Sequence, residues 1–434
     1  MNSILTSCAL ILLALPPQAQ QSIDPALAEQ YFREAETSCR DDGGKLWGRS
    51  LCGPMLFADV RTRMVVANQK DADGILTKQN NVYVGRLPDK ETVANTAYRW
   101  AGVYWTMVMW PLPANKTARL RLMAHELYHR IQPDIGLPAS NPSNDHLDSV
   151  DGRILLQLEW RALRRALTGT DVDRRTAIED ALVFRLRRRE VFPQAAITER
   201  GLEMNEGLAE YTGVKLRGTT LTETLDFIAR KLQESESLPS FVRSFAYASG
   251  PAYGFLLDES GKEWRKGLKP ENDFGVMIER SFSITLPPDS KREAEKRAAR
   301  YDGDKLRETE TDRDAQRQRR IAEYRKRFVD PPVLLLPMTA QMNYSFDPND
   351  IQILDATGSV YGRLNVSDAW GILSVSNGAL MTREGSKISS VTVPAPSDVS
   401  DRRLKGDGWV LELSEGWKLM PGARKGDYTL KPVR

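Results

Sequence analysis

His125, Glu126 and His129 are the residues of this chain best placed to do chemistry. They stand in His125-Glu126-Leu127-Tyr128-His129, an HExxH pattern. On a helix, a spacing of four puts both imidazoles on one face, where their ring nitrogens can converge on a single ion. Zinc suits imidazole ligands, and a catalytic zinc keeps three protein ligands with the fourth position open to water. Glu126, beside the first ligand but off the metal, can take a proton from that water as it attacks a carbonyl. The chain has only three histidines in 434 residues, so the pairing is hard to ascribe to chance. The plain structural alternative is a buried helix whose two histidines merely pack.

A catalytic site of this kind needs a third ligand, and three residues qualify. His146 follows in a polar stretch, Asn144-Asp145-His146-Leu147-Asp148, and reads more naturally as a loop residue. Glu159, in Leu158-Glu159-Trp160, lies on an expected helix. Glu206 is favoured, within Met204-Asn205-Glu206-Gly207-Leu208-Ala209-Glu210-Tyr211. Glu206 and Glu210 are four apart and share a helical face, so the first can bind zinc while the second accepts the N–H of a ligating histidine. Gly207 costs roughly 1 kcal/mol inside a helix, which points to a close approach of two helices. The alternative for such a pair is a solvated helix face, and apolar Leu202, Met204, Leu208 and Ala209 argue against it.

HExxH followed by Asn-Glu-Gly-Leu-Ala-Glu resembles the gluzincin zinc metallopeptidases, the group of thermolysin and the zinc aminopeptidases. The resemblance covers two short motifs and the order of elements around them, about 120–250. It implies zinc held by His125, His129 and Glu206, Glu126 as general base and Glu210 as the outer-shell acidic residue. Tyr247, in Tyr247-Ala248-Ser249-Gly250, is similar to the aminopeptidase tyrosine that stabilises an oxyanion; an ordinary core tyrosine is the alternative. The resemblance also implies that extended substrate adds to a sheet edge just before the HExxH helix, a place taken by Val103–Trp110. Two departures stand out. The span from His129 to Glu206 is long, so an insertion must be looped out there. The Gly-x-Met-Glu-Asn segment that holds a free amine is absent, which favours an endopeptidase or a narrow-specificity peptidase over an aminopeptidase.

Several elements must position these residues. Asn115 or Thr117 can cap a helix running to Pro133. Further helices are expected over 151–167, 197–215 and 221–232. Residues 22–115 read as mostly strand: 54–58 and 64–67 around a polar turn, then 82–84, and 103–110 stopped by Pro111 and Pro113. Residues 291–328 hold 14 Lys/Arg and nine Asp/Glu, interleaved in sign, which suits a solvated helix or hairpin. After Asp330-Pro331-Pro332, short strands alternate with turns at sandwich-like spacing. The fold expected is α+β. An N-terminal antiparallel sheet over 22–115 packs on a mostly helical, zincin-like catalytic region over 116–286. A charged helical linker over 287–330 and a C-terminal β-sandwich-like domain over 331–434 follow.

Ile4 to Leu15 has the length of a signal-peptide core, although no Lys or Arg precedes it, so residues 1–21 are read as an export signal. Cleavage near Ala19 removes Cys8 and leaves Cys39 and Cys52, a pair that suits one disulfide in an oxidising compartment; two buried thiols are the alternative. With 41% hydrophobic and 27% charged residues the chain is neither disordered nor a membrane bundle. A net charge of +3 gives no argument for nucleic acid. The sequence thus points to an exported (periplasmic or secreted) zinc metallopeptidase acting on a peptide or protein, with no membrane span in the mature chain. The competing reading is a catalytically inactive zincin-like binding or envelope-associated protein. Oligomeric state is not encoded legibly.

Overall fold

The structure is a computed structural model that describes residues 23–88, 91–339, 342–346, 350–355, 358–385, 387–400 and 402–433. The expected signal over 1–21, with Cys8, lies outside these residues. The chain divides into two compact units. The first comprises Met1–Asn144, Glu159–Glu236 and Arg243–Glu293; the second comprises Asp145–Leu158, Ser237–Val242 and Ala294–Arg434. Among the described residues, no helix is long and apolar enough to cross a membrane.

The first unit begins with a helix where the sequence reads as strand. Asp24 accepts a hydrogen bond from the Ala26 N–H, Pro25 occupies the first turn, and α1 runs over Pro25–Asp42. Its buried residues Ala28, Tyr31, Phe32, Ala35 and Cys39 recur every three or four positions, the stripe of a surface helix. Its mate is a six-stranded sheet of β1 (Met55–Asp59), β2 (Met64–Ala67), β3 (Thr77–Gln79), β4 (Val82–Arg86), β5 (Thr96–Trp100) and β6 (Val103–Trp110), ordered β3-β4-β2-β1-β6-β5. Leu56 and Ala58 of β1 join the cluster around Trp100, Trp105 and Met107. Between them Phe57 faces the other way and stacks on Phe32 of α1, ring centroids 4.3 Å apart.

Two expectations about this sheet are corrected. It is mixed rather than antiparallel, because β1 and β6 pair in parallel. Nor does Val103–Trp110 form an edge: β6 is enclosed by β1 on one side and β5 on the other. The physical reason is local. Ala101 and Gly102 adopt φ of 47° and 72°, the left-handed pair of a two-residue hairpin, which folds β5 back over β6. The edge positions belong to β3 and β5.

The helices of this unit build around α2 (Lys116–Ile131), which Asn115 caps by accepting from the Ala118 N–H. α2 packs against β5 and β6. The long span before Glu206 holds α3 (Val150–Thr168), whose residues up to Leu158 belong to the second unit, and α4 (Asp171–Val191); α4 escaped the sequence reading because arginines interrupt its apolar pattern. Next come α5 (Ala195–Leu202), one π-helical turn over Glu203–Gly207, and α6 (Leu208–Lys215). The expected helix over 197–215 is thus continuous but carries one widened turn. α7 (Leu221–Ser235), α8 (Ser244–Glu259) and α9 (Phe274–Phe282) follow. α8 lies against the widened turn, and a Cβ on Gly250 would collide with the Gly207 Cα. This is the close helix approach that Gly207 suggested.

In the second unit, strands of residues 333–432 form two sheets. One is ordered Trp417–Pro421, Tyr428–Pro432, Val333–Pro337, Lys387–Pro394, Ala379–Glu384, Gly358–Tyr361, Ile351–Asp355. The other is Asp398–Ser400, Arg403–Gly406, Trp409–Leu413, Gly371–Val375, Leu364–Asp368, Asn343–Phe346. Leu334, Tyr361 and Val391 of the first sheet meet Leu364, Leu373 and Leu411 of the second, with Trp370 from the turn between two of its strands, in one core, the interleaving of a β-sandwich. The charged segment forms α10 (Ser290–Ala298) and α11 (Gly303–Phe328). α11 is not purely solvated. Its Phe328 packs with Leu354, Val360 and Leu380, and its buried Glu310 accepts from Arg153 (2.8 Å) and Gln157 (2.7 Å).

Candidate metal centre

α2 presents His125 and His129 on one face, as a spacing of four dictates. The widened turn after α5 brings Glu206 opposite them. Three atoms converge: His125 Nε2 and His129 Nε2 are 3.2 Å apart, and Glu206 Oε2 lies 3.4 and 3.5 Å from them. These three residues form a group able to hold a metal ion. Ligands about 2.0–2.1 Å from a tetrahedral zinc stand roughly 3.3–3.4 Å from one another, so the observed triangle has the dimensions of one tetrahedral face. The donor set, two imidazoles and one carboxylate, suits a divalent metal ion with a position left open.

The ring orientations are set by partners behind them. His125 Nδ1 meets Glu210 Oε2 at 3.0 Å, and His129 Nδ1 meets Gln132 Oε1 at 2.9 Å. Both partners are acceptors, so each Nδ1 carries a proton and each Nε2 is turned to the triangle. Glu210 is held in turn by Arg121. Gln132 donates to Asn205 Oδ1 (3.0 Å), and Asn205 donates to Asn141 Oδ1 (3.1 Å). Tyr247 O–H donates to Glu206 Oε2 at 2.6 Å, and its ring lies parallel to that of His125 with centroids 5.6 Å apart. Arg243 donates from one nitrogen to Glu206 Oε1 and to Asn141 Oδ1, both at 3.3 Å.

The electrostatics of the metal-free site are those of carboxylates facing imidazoles. Burial pulls the His125 pKa down, but bonding to Glu206 and Glu210 and the charge of Glu126 outweigh it and push the pKa up to about 10. Burial raises the Glu206 pKa; the bonds from His125 and His129 overcome that and hold it well below the usual carboxylate range. Glu126 is raised, chiefly by burial, against the opposing charge of the two histidines. Glu126 is 4% exposed, and its Oε2 has no hydrogen-bond partner among the described residues. Leaving a buried acceptor unmatched costs about 1–3 kcal/mol, more for a charged one.

The alternative ligands are placed elsewhere. Glu159 is fully buried in an arginine cluster, accepting from Arg188 (2.5 Å), Tyr253 (2.7 Å) and Arg185 (3.3 Å). His146 lies in a short 3-10 turn, Asp145–Asp148, of the second unit and is not in the metal-capable group. Cys39 and Cys52 form a disulfide with Cα atoms 5.3 Å apart. The carbonyls of Leu51 and Cys52 accept from Arg130, the residue after His129, at 3.0 and 3.1 Å, so the bridged loop also braces the end of α2.

Sequence reasoning missed Gln132, Asn205, Asn141 and Arg243. Two had a local signal: Gln132 comes three residues after His129 and Arg243 precedes Tyr247 by four, the spacings at which helical neighbours meet; Asn205 takes its partners Gln132 and Asn141 from far along the chain and had none. Asn141 lies in a loop and had none. Comparison of the chain with protein-family models, with curated proteins and with solved structures gave no match.

Proposed function

We propose that this chain is a zinc-dependent metallopeptidase of zincin-like architecture, with His125, His129 and Glu206 as ligands. The observation that carries the reading is Glu126: a buried carboxylate oxygen with no partner among the described residues, beside three ligand atoms spaced as a tetrahedral face. A site built only to hold a metal has no use for that oxygen, which is why the inactive binding protein is the weaker alternative. The zinc, when bound, supplies Lewis acidity toward a carbonyl and lowers the pKa of water. The residues of the chain do the rest. Glu126 Oε2 receives the proton of the attacking water and returns it to the leaving amine. Glu210 and Gln132 keep the imidazoles in one tautomer. Tyr247, whose O–H already points into the site at Glu206, can turn to donate to the oxyanion. The Cys39–Cys52 disulfide supports an oxidising compartment and therefore export.

Metal analysis of the purified protein, with hydrolysis of a peptide library as the second step, tests this reading. Glu126→Gln should keep one zinc per chain and lose turnover by about 10²–10⁴-fold. Absence of zinc, or full turnover in Glu126→Gln, overturns it.

A further inference from the structure

The segment between Cys39 and Cys52 touches both helices that carry the metal centre. Gly43, Gly44 and Gly48 in it all take positive φ, and Lys45, Arg49 and Ser50 are exposed. Glycine loses more freedom on ordering than any other residue, so such a segment has little of its own to hold it. It nevertheless inserts one large side chain against α2 and α6. The Trp47 indole N–H donates to Thr212 Oγ1 of α6 at 3.0 Å. The Trp47 ring lies 5.1 Å from that of Tyr128 and 6.2 Å from that of Tyr211, between centroids. Tyr128 precedes the ligand His129, and Tyr211 follows Glu210, the residue that orients His125. The Tyr128 ring meets the His129 imidazole edge to face at 6.0 Å. Its hydroxyl has no hydrogen-bond partner among the described residues, so packing rather than hydrogen bonding sets its position. At the far end of the segment, the Leu51 and Cys52 carbonyls hold Arg130 Nη2, and a Cβ on Gly53 would collide with the Arg130 guanidinium. Closing the segment with one covalent bond removes freedom from the open chain, and it fixes Trp47 and the two carbonyls together.

We propose that this segment is a redox-gated clamp on the metal centre, with Trp47 as its positioning residue. With Cys39 and Cys52 as thiols the chain holds zinc weakly; bridging them seats Trp47 between the two helices and tightens the site. The gating step is exchange with a disulfide oxidant. One Sγ–Sγ bond forms between Cys39 and Cys52, the S–S bond of the oxidant breaks, and the two thiol protons and two electrons leave on its sulfurs. Both cysteines line a surface cleft of about 470 Å³ beside Glu36, Gly53 and Asn68, through which the oxidant, or a reducing dithiol, can approach. A chain gated in this way retains its metal only in an oxidising compartment. The inference rests on the metallopeptidase reading for the identity of the ion, and its test reads zinc affinity rather than hydrolysis.

The experiment compares the full-length bridged chain with the double variant Cys39→Ser/Cys52→Ser, which offers the metal no thiols. Competition with a chromophoric chelator at one pH gives the zinc affinity, and circular dichroism checks the fold. The double variant should bind one zinc about tenfold or more weakly, the range for lost outer support. In the bridged chain, Trp47→Leu should weaken zinc by a similar factor, and Trp47→Phe, which keeps a ring against Tyr128 and Tyr211, by less. Added to the serine pair, Trp47→Leu should cost little more, because both changes release the same clamp. Should the serine pair not fold, the two Trp47 variants of the bridged chain decide. Equal zinc affinity with and without the bridge, an unchanged affinity in Trp47→Leu, or fully additive losses overturns the proposal. Zinc binding that depends on the bridge, without hydrolysis by the wild-type chain, would sink the peptidase reading alone. Hydrolysis with a zinc affinity indifferent to the bridge would sink this inference alone.

Discussion

Two buried carboxylate clusters share one helix in the first unit and do opposite things. Glu199 and Glu203 meet arginines: Arg188 holds Glu199 at 2.6 and 3.0 Å, and Arg185 holds Glu203 at 2.9 and 2.5 Å. Glu206 and Glu210, just beyond, meet the imidazoles of His125 and His129. In the arginine cluster each carboxylate is met by a guanidinium through two hydrogen bonds, while burial pushes the Glu203 carboxyl up. In the histidine cluster the ring nitrogens face one another as acceptors, a geometry satisfied only by a proton or a metal. The widened turn over Glu203–Gly207 separates the two. At about 100° per residue, all four glutamates would fall within roughly 60° of arc on a regular helix. A turn closed by i→i+5 bonding takes in one extra residue and rotates the next part of the helix by about that step. Glu206 and Glu210 thereby face α2, while Glu199 and Glu203 face α4.

The strongest way to break this comparison is to neutralise one glutamate in each cluster. Glu206→Gln removes a ligand, so zinc affinity should fall by more than the roughly 10–100-fold expected for losing an outer-shell partner, while the fold survives. Glu159→Gln should do the reverse: one zinc per chain is retained, and stability drops by about 3–5 kcal/mol because Arg188 and Arg185 lose a fully buried counter-charge. Zinc titration and denaturant unfolding of both variants check this. Zinc loss in Glu159→Gln would return that residue to the ligand set.

A smaller effect is expected where the two clusters share a support. α8 carries Tyr247, bonded to Glu206, and Tyr253, bonded to Glu159. Gly250 lies between them in sequence, packed against the Gly207 backbone. In Gly250→Ala the new methyl meets backbone rather than a flexible side chain, so α8 must move away. The expected loss is about 1–3 kcal/mol, with a weakened zinc affinity, because both tyrosines move together. An unchanged zinc affinity would show the metal cluster to be independent of α8.

The sequence made the histidine cluster more legible than its surroundings, for reasons of range. His125, Glu126 and His129 are linked by one helical turn, and the Glu206/Glu210 pair by another, so spacing alone proposed their faces. Asn115 signalled the start of α2, and Gly207 the close approach that Gly250 completes. The features that could not be read depend on distant partners. The parallel pairing of β1 with β6, and the burial of β6 between two strands, are set across about 50 residues of chain. The arginines of α4 look like a solvated face, yet Arg185 and Arg188 are buried because Glu159, Glu199 and Glu203 come from other helices. The widened turn leaves no mark in composition, although it decides which glutamates the histidines meet.

The finest distinction between the clusters is their response to pH. In the arginine cluster, the Asp273 carboxyl is held well below the usual carboxylate range: burial raises it, and the charges of Arg185 and Arg189 overcome that. Asp273 therefore keeps its charge throughout the neutral range. In the metal-free histidine cluster, the His125 pKa stands at about 10, above its unfolded value near 6.5. Between pH 6 and pH 8 the folded, metal-free protein therefore keeps a proton at His125, and zinc must displace it. Apparent zinc affinity should accordingly rise with pH, by about tenfold per unit and one proton released per ion, and flatten only as pH approaches 10. Competition with a chromophoric chelator at pH 6, 7 and 8, with proton release measured in two buffers of different ionisation enthalpy, checks both numbers. A pH-independent affinity would mean that Glu206 and Glu210 do not hold a proton on the imidazole. The electrostatic contrast between the two clusters would then reduce to packing alone.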